Sequence, residues 1–108
     1  MKRDVIATPL FERNLQAFLD SYADLGAMRF IERLKISYLG MMENISIFEE
    51  IGAARRRTIN GKSITLREYV LDVEPRDFLI LYRVPPEPDQ PVILLNIRIG
   101  GQNKFRWT

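Results

Sequence analysis

The chain has 108 residues, of which 46% are hydrophobic, and this is enough to close one modest core, so we expect a single domain over residues 1–108. It contains no cysteine and no histidine, which excludes disulfides, a thiolate nucleophile, the common zinc sites and any histidine-based triad. Residues 1–52 carry 6 Lys and Arg against 8 Asp and Glu, whereas residues 53–108 carry 10 against 6. The basic second half is typical either of an acidic or phosphate-rich partner or of a solvated face.

The sequence has no feature of a membrane or secreted protein. Its longest uninterrupted apolar stretches are only a few residues, far below the ~20 that cross a bilayer. The N-terminal Met1-Lys2-Arg3-Asp4 lacks the apolar stretch of a signal peptide. We therefore expect a soluble, cytoplasmic protein that does not act at a membrane.

The first predicted elements are a short strand and an amphipathic helix. Asp4-Val5-Ile6-Ala7 is typical of a strand, and Thr8-Pro9 then supplies an N-cap and a proline at the first helical position. The pattern predicts a helix from Pro9 to Tyr22. One face of this helix carries apolar residues at helical spacing, which are Phe11, Leu15, Phe18, Leu19 and Tyr22.

A second and longer helix follows the connector Ala23-Asp24-Leu25-Gly26. Its apolar residues are spaced alternately by three and four as far as Phe48, and they are Ile31, Leu34, Tyr38, Met41, Ile45 and Phe48. Gly52 can take a left-handed C-cap conformation, which predicts that the helix ends near Ile51-Gly52. The short connector predicts that the two helices pack as an antiparallel hairpin.

The spacing of apolar residues changes to two from Ala53 onward. Asn60-Gly61 predicts a tight β-hairpin between Arg57-Thr58-Ile59 and Lys62-Ser63-Ile64. Three longer strands are predicted over Ile64 to Val73, Phe78 to Val84 and Val92 to Ile99, joined by a turn at 74–77 and a proline-rich loop at 85–91. The fold class is therefore α+β, with an N-terminal strand, an antiparallel helical hairpin and a three-stranded antiparallel meander.

Strict alternation predicts which face of the sheet meets the helices. In the last strand Ile93, Leu95, Ile97 and Ile99 form a purely apolar face, which should pack on the helices. In the preceding strand the same alternation directs Tyr82 toward the helices. Arg83 and Arg98 should then lie in register on the opposite face, on a concave surface open to solvent.

Four stretches carry a resemblance to a known family, and they are Val5–Glu12, Arg29–Leu34, Leu66–Tyr69 with Phe78–Val84, and Ile93–Gly101. Together they resemble the ParE/RelE superfamily of toxins from type II toxin-antitoxin systems, along nearly the whole chain. The ILYRV-like strand makes the chain more similar to the ParE branch. It departs from the family at the loop 85–91, which is longer than usual, and at Gly100–Asn103, where many relatives carry histidine or arginine.

The resemblance implies a bacterial toxin that inhibits DNA gyrase, of the kind that stabilises plasmids or phages. It also implies a cognate antitoxin, whose amphipathic C-terminal segment would cover the groove between the helical hairpin and the sheet and form a hetero-oligomer. A gyrase inhibitor needs a binding surface and no catalytic set, so no enzymatic activity, metal or cofactor is expected. The first alternative is a metal-independent, RelE-like endoribonuclease that acts on the ribosome and its mRNA, and the second is a non-toxic module that only binds an antitoxin.

The candidates for target binding or catalysis are cations of the predicted sheet, which are Arg83, Arg98, Arg67 and Lys62. Such groups stabilise negative charge that develops during RNA cleavage. In that alternative Tyr82 or Tyr69 would act as the acid or base. For each cation the competing interpretation is a solvated residue on a strand face.

The C-terminal tail Lys104-Phe105-Arg106-Trp107-Thr108 interleaves cations with aromatic residues. This composition suits contact with nucleic acid or a protein groove, and Lys104, Arg106 and Trp107 are the candidates for contact. The competing interpretation is a last strand or fold-back that buries Phe105 and Trp107. The run Arg55-Arg56-Arg57 either contacts phosphate or an acidic antitoxin, or is solvated.

Overall fold

Two helices form the first half of the chain in the computed structural model, which describes residues 2–102 and 104–108. Two residues lie outside the described ranges. They are Met1 of the N-terminal segment Met1-Lys2-Arg3-Asp4 and Asn103 of the segment Gly100–Asn103. Helix α1 spans Pro9–Asp24 and helix α2 spans Met28–Ile47. The Thr8 hydroxyl oxygen caps α1 by accepting a hydrogen bond from the Phe11 amide at 3.3 Å, as the Thr-Pro signal predicts.

The connector between the helices is confirmed at Leu25-Gly26, while Ala23 and Asp24 still belong to α1, and the predicted end of the second helix is wrong. Gly26 takes a left-handed φ of 71° in the turn between α1 and α2, a conformation that favours glycine. Helix α2 ends at Ile47, before Ile51-Gly52, and Gly52 does not have a positive φ. A glycine is needed at position 52 for a different reason, because a Cβ there would lie 2.8 Å from the Glu68 carbonyl oxygen and from the Tyr82 ring.

Five strands form one sheet, and they are β1 (Val5–Ala7), β2 (Ala53–Ile59), β3 (Lys62–Val73), β4 (Arg76–Arg83) and β5 (Val92–Ile99). Their order is β1-β5-β4-β3-β2. The predicted meander β3-β4-β5 is confirmed as antiparallel, and β1 pairs parallel to β5. The predicted turn has positive φ at Asn60 (52°) and Gly61 (76°), as a two-residue hairpin turn requires, and it pairs β2 with β3 along seven residues.

A β-bulge in β5 makes the predicted inner face of this strand only half correct. Tyr82 pairs with Leu94 and Leu81 pairs with Asn96, so Leu95 is an extra residue that faces no partner of its own. The predicted Ile97 and Ile99 do meet the helices, but before the bulge Val92 and Leu94 do so instead of Ile93 and Leu95. We call the helix-covered side of the sheet the inner face and the other side the outer face.

The core lies between the helices and the inner face. Aromatic contacts lock the layers together, since the Phe18 and Phe78 rings lie 5.4 Å apart edge to face. Each fully buried large side chain contributes ~1.5–3 kcal/mol of hydrophobic stabilisation. The buried cluster comprises Phe11, Phe30, Leu34, Met41 and Ile45 from the helices and Leu71, Val73, Phe78, Ile80, Tyr82, Val92, Leu94 and Ile97 from the strands. Within the described residues no helix is long and apolar enough to cross a bilayer.

A buried arginine holds the proline-rich loop between β4 and β5. Arg3 Nη2 donates hydrogen bonds to the carbonyl oxygens of Pro85, at 2.9 Å, and of Glu87, and Nε donates to Pro88 O at 3.3 Å. The same guanidinium lies 3.5 Å from the Glu49 carboxylate. Because the carbonyls that precede and follow prolines have few backbone donors nearby, this one side chain orders the loop.

Candidate functional site on the outer face

The C-terminal tail folds back along β5 and is anchored by a buried asparagine. Asn96 Nδ2 donates a hydrogen bond to the Arg106 carbonyl oxygen at 2.7 Å, and Asn14 Nδ2 of α1 donates to the same oxygen at 3.1 Å. Asn96 Oδ1 accepts hydrogen bonds from Asn14 Nδ2 and from the Ile97 amide, both at 2.8 Å. A polar side chain with no exposed surface is therefore fully used to fix the tail against strand and helix.

The folded tail closes one side of a groove on the outer face, which we call the tail groove. Its floor is apolar, because Leu66 and Leu81 are buried. The Phe105 and Trp107 rings lie 6.2 Å apart over this floor, and Trp107 remains 56% exposed. The groove encloses about 430 Å³ and is lined by Arg57, Thr58, Ile59, Leu66, Glu68, Leu81, Arg98, Lys104, Phe105 and Trp107.

The charge on the lining of the tail groove is positive. Three cations, Arg57, Arg98 and Lys104, face one carboxylate, that of Glu68. Glu68 is mostly buried and accepts a hydrogen bond from Arg55 Nε at 3.2 Å, so its charge is already partnered. The groove thus combines a positive rim with exposed aromatic surface.

Arg98 is a structural part of this groove and is not free on an open surface. Its Nη1 donates hydrogen bonds to the carbonyl oxygens of Ile99 (3.3 Å), Gly100 (3.4 Å) and Gln102. Its guanidinium carbon lies 5.1 Å from the centre of the Phe105 ring, a cation–π distance. Arg98 therefore ties the turn after β5 to the tail.

Arg83 and Arg98 share the outer face as predicted, but they do not lie in register. Arg83 pairs with Ile93, whereas Arg98 pairs with Leu79. The two positions lie four residues apart along β4, which is about 13 Å. Arg83 lies at the loop end of β4 and Arg98 near the far end of β5, so antiparallel pairing keeps them apart and they cannot act on one small group.

The other two cation candidates also lie away from Arg98. Lys62 is exposed at the start of β3, next to the hairpin turn. Arg67 pairs with Tyr82 on the inner side, and its Nη1 donates to the carbonyl oxygens of Glu50 (3.1 Å) and Gly52 (2.9 Å). Of the tail candidates, Lys104 and Trp107 line the tail groove, and Arg106 contributes its carbonyl oxygen to the Asn96 anchor.

All four tyrosines lie on the helix side of the sheet. Tyr22 contacts Phe30 and Tyr38 stacks on Phe11, with ring centres 4.5 and 6.1 Å apart. The Tyr69 hydroxyl accepts a hydrogen bond from Asn44 of α2 at 3.2 Å. The candidate acid or base of the cleavage alternative is therefore separated by the sheet from the cations of the outer face.

Tyr82 is a core residue, as predicted, and its hydroxyl is fully hydrogen-bonded. It donates to the Glu49 carbonyl oxygen and accepts from the Gly52 amide, both at 2.8 Å. Burial raises the pKa of this phenol, and the Gly52 hydrogen bond and the nearby Arg67 charge only partly offset that effect. Tyr82 thus fastens the loop after α2 to the sheet in its neutral form.

Sequence reasoning missed the two polar residues that organise the loops. Arg3 gave no signal, because its partners are backbone carbonyls more than eighty positions away along the chain. Asn96 did give one, since it interrupts the apolar strand Val92–Ile99. A buried polar side chain needs hydrogen-bond partners, but this requirement does not identify the segment that supplies them.

Comparison with known proteins finds no family model that matches the chain, no similar curated protein and no similar solved structure. The order of elements, two helices followed by the antiparallel strands of a mixed sheet, is compatible with the topology of RelE and ParE proteins. In the described ranges, no group of three or more acidic side chains lies close enough together to hold a metal ion.

Proposed function

We propose that the protein is the toxin of a type II toxin-antitoxin pair and that it inhibits DNA gyrase by binding through the tail groove. The observation that carries the proposal is the exposed Trp107, held beside Phe105, Lys104 and Arg98 by a tail that is itself hydrogen-bonded to the sheet. Tryptophan and arginine are the residues most enriched at the energetic centres of protein interfaces. A pre-ordered anchor also loses less conformational entropy on binding.

A binding role is favoured over RNA cleavage by the position of the proton-transfer groups. The four tyrosines lie on the helix side, and Arg98 is committed to three carbonyl oxygens of the turn and tail. Cleavage needs an acid or base within hydrogen-bond reach of the cations that stabilise the transition state. The arrangement of the outer face supports recognition of a surface more than chemistry on a phosphodiester.

The second candidate function is mRNA cleavage on the ribosome, and one observation favours it. The tail groove combines three cations with two aromatic rings, a composition that suits single-stranded nucleic acid. Arg57 and Lys104 would then stabilise charge on a scissile phosphate. Water or a nucleotide hydroxyl would have to supply the proton transfer that the tyrosines are too distant to provide.

The proposed antitoxin would cover apolar surface of α2. Ile36 and Leu39 are 70% and 66% exposed on this helix. Beside them, a cleft of about 570 Å³ separates α2 from the turn between β3 and β4 and is lined by Arg33, Ile36, Ser37, Asp72, Val73, Glu74 and Pro75. An amphipathic helical segment that fills this cleft would bury both exposed side chains.

The test is to add the purified protein to two separate assays, supercoiling of relaxed plasmid by DNA gyrase and cleavage of mRNA on translating ribosomes. Inhibited supercoiling with intact mRNA is the expected result. Cleaved mRNA with normal supercoiling would replace the proposal with the second candidate. If neither activity changes, the protein is a non-toxic binding module and the toxin proposal is wrong.

A further inference from the structure

Strand β2 ends the sheet, and within the residues that the structure describes no other strand pairs with its outer edge. It is the last strand in the order β1-β5-β4-β3-β2, and all seven of its residues are exposed. Its pairing with β3 runs without a register shift from Ala53 to Ile59. Natural proteins protect such an edge by shortening it, by a bulge or proline, by a cover or by charged side chains, and of these devices β2 has only the charges of Arg55, Arg56 and Arg57.

The hairpin turn determines which backbone groups point away from the sheet. In a two-residue turn of this type the flanking residues, Ile59 and Lys62, form a hydrogen-bonded pair. Alternation then directs the amides of Ala53, Arg55 and Arg57 toward β3 and those of Ala54, Arg56 and Thr58 toward the open edge. Three outward amide donors thus stand at the spacing of a strand, and of the three outward carbonyl oxygens that of Ala54 already accepts a hydrogen bond from Arg55 Nη1 at 3.2 Å.

The charge of β2 selects among possible partners. The strand carries Arg55, Arg56 and Arg57 in succession, and of these Arg55 is paired with Glu68 of the neighbouring strand. Within the described residues Arg56 and Arg57 make no ion pair. A second copy that added antiparallel through the same edge would place two arginine runs opposite each other, and like charges directly opposite destabilise a sheet.

We propose that β2 is a binding site for an extended acidic peptide segment, which adds to the sheet as a sixth strand. The outward amides and carbonyls supply the ladder of main-chain hydrogen bonds, and neighbouring carboxylates of the segment, which point to opposite faces, pair with Arg56 on one face and Arg57 on the other. Arg57 and Thr58 of this edge also line the tail groove, but peptide binding at the edge is measured without gyrase, so failure of either proposal leaves the other intact.

The first experiment titrates the isotope-labelled protein with an end-blocked peptide that repeats two glutamates and two valines, so that glutamates lie on both faces of the added strand, while amide shifts are recorded by NMR. An equivalent peptide of lysine and valine is the control probe. We expect saturable binding of the glutamate peptide, with the largest shifts at Ala54, Arg56 and Thr58, and no binding of the lysine peptide. If neither peptide binds, the arginines serve only to keep the edge unpaired and the proposal is wrong.

The second experiment separates the backbone ladder from nonspecific attraction between charges. Thr58→Pro removes one outward amide and leaves the ladder to β3 intact, whereas the matched Thr58→Val keeps the amide. We expect Thr58→Pro to weaken binding of the glutamate peptide by about tenfold or more, the loss of one hydrogen bond of ~1.4 kcal/mol, and Thr58→Val to bind as wild type. Equal binding by both variants would overturn the proposal.

Two controls remove the remaining ambiguities of this test. If Thr58→Pro does not fold, as judged by circular dichroism, Ala54→Pro replaces it, because Ala54 presents the second outward amide near the other end of β2. The combined change Arg56→Gln and Arg57→Gln should lower the affinity and its dependence on salt together. Sedimentation that shows a dimer dissociated by Thr58→Pro would assign the edge to a second copy and contradict the acidic partner.

Discussion

The hydroxyl of Tyr82, near the end of β4, joins two backbone groups of the loop between α2 and β2, at Glu49 and at Gly52. It satisfies the Glu49 carbonyl and the Gly52 amide at once, in a site without solvent access. Replacement by phenylalanine keeps the ring and leaves both backbone groups without a partner. We expect Tyr82→Phe to lower the free energy of unfolding by ~1–3 kcal/mol, measured by urea denaturation.

Tyr69→Phe is the matched control for this change. The Tyr69 hydroxyl accepts a single, exposed hydrogen bond from Asn44, and water can replace it. Tyr69→Phe should therefore lower the free energy of unfolding by less than about 0.5 kcal/mol. Equal destabilisation by the two variants would show that the Tyr82 hydroxyl does not hold the loop after α2.

Tyr38 predicts a dependence of stability on alkaline pH. Its pKa is raised by burial and, secondarily, by the Glu12 carboxylate. The unfolded chain releases this proton near the ordinary pKa of about 10, while the folded chain still retains it, so the free energy of unfolding falls as pH rises above that value. Tyr38→Phe should flatten this fall between about pH 9 and about pH 11, as measured by urea denaturation at several pH values. An unchanged slope would refute the assignment.

Two glycines provide a matched pair that separates close packing from helix propensity. A Cβ at Gly52 would lie 2.8 Å from the Glu68 carbonyl oxygen and from Tyr82, whereas a Cβ at Gly40 in α2 meets nothing within 4 Å. We expect Gly52→Ala to destabilise the protein by ~1–3 kcal/mol through overpacking. Gly40→Ala should stabilise it by ~0.5–1 kcal/mol, because glycine is a poor helix former. A melting temperature that shifts in the same direction for Gly52→Ala and Gly40→Ala would contradict this expectation.

At the scale of elements, the tail depends on one side chain of β5. Asn96 supplies the 2.7 Å hydrogen bond to the Arg106 carbonyl oxygen and positions Asn14, the second donor to that oxygen. Asn96→Ala removes the first bond and the orientation of the second. We expect carboxypeptidase to digest the tail of this variant about tenfold faster than the wild-type tail. The rate of cleavage follows the fraction of molecules in which the tail is detached from β5. The proteolysis is followed by mass spectrometry.

The control for this prediction is Asn44→Ala, which removes an exposed asparagine whose partner, Tyr69, is distant from the tail. Its tail should be digested at the wild-type rate. If Asn96→Ala also leaves the rate unchanged, the tail is held by Arg98 and Phe105 alone, and the anchoring role of Asn96 is wrong.

The elements themselves were largely predictable, because each follows from local patterns. The Thr8-Pro9 cap, the apolar spacing of the helices and the Asn60-Gly61 turn all specify structure within a few residues. Which residues of β5 face the helices was not predictable. The bulge at Leu95 has no local sequence signature, and it reverses the alternation of the residues before it. The predicted register of Arg83 with Arg98 failed for another reason, because Arg83 lies at the loop end of β4 and Arg98 near the far end of β5, and antiparallel pairing keeps these ends apart.

Strand β2 shows a different limit of sequence reasoning. Ala53–Ile59 lies on the open edge and buries none of its residues, so burial does not mark its length. The period-two spacing from Ala53 onward indicated extended structure, but the turn predicted only three paired residues, and the pairing extends beyond them. The extra length is determined by β3. Its own alternation is strong, and β2 pairs with it along seven residues.

At the scale of the whole molecule, the helices and the tail cover opposite sides of one sheet. The inner side is a closed core, while the outer side keeps a cationic groove with Trp107 at its rim. Sequence alone indicated that the tail carried cations and aromatics, but not that Asn96 and Arg98 would order it. Those contacts join residues of β5 to a segment that has no regular structure of its own, so no periodic pattern encodes them.

The most direct test of this account compares inhibition of gyrase supercoiling by wild-type protein, Trp107→Ala and Leu25→Ala. Leu25 is a matched control because it is an exposed apolar side chain in the turn between the helices, remote from the tail groove. We predict that wild type and Leu25→Ala inhibit at the same concentration, whereas Trp107→Ala requires about thirtyfold more, the loss of a ~2 kcal/mol interface anchor. Equal inhibition by all three proteins, or no inhibition by wild type, would contradict the proposed role of the tail groove.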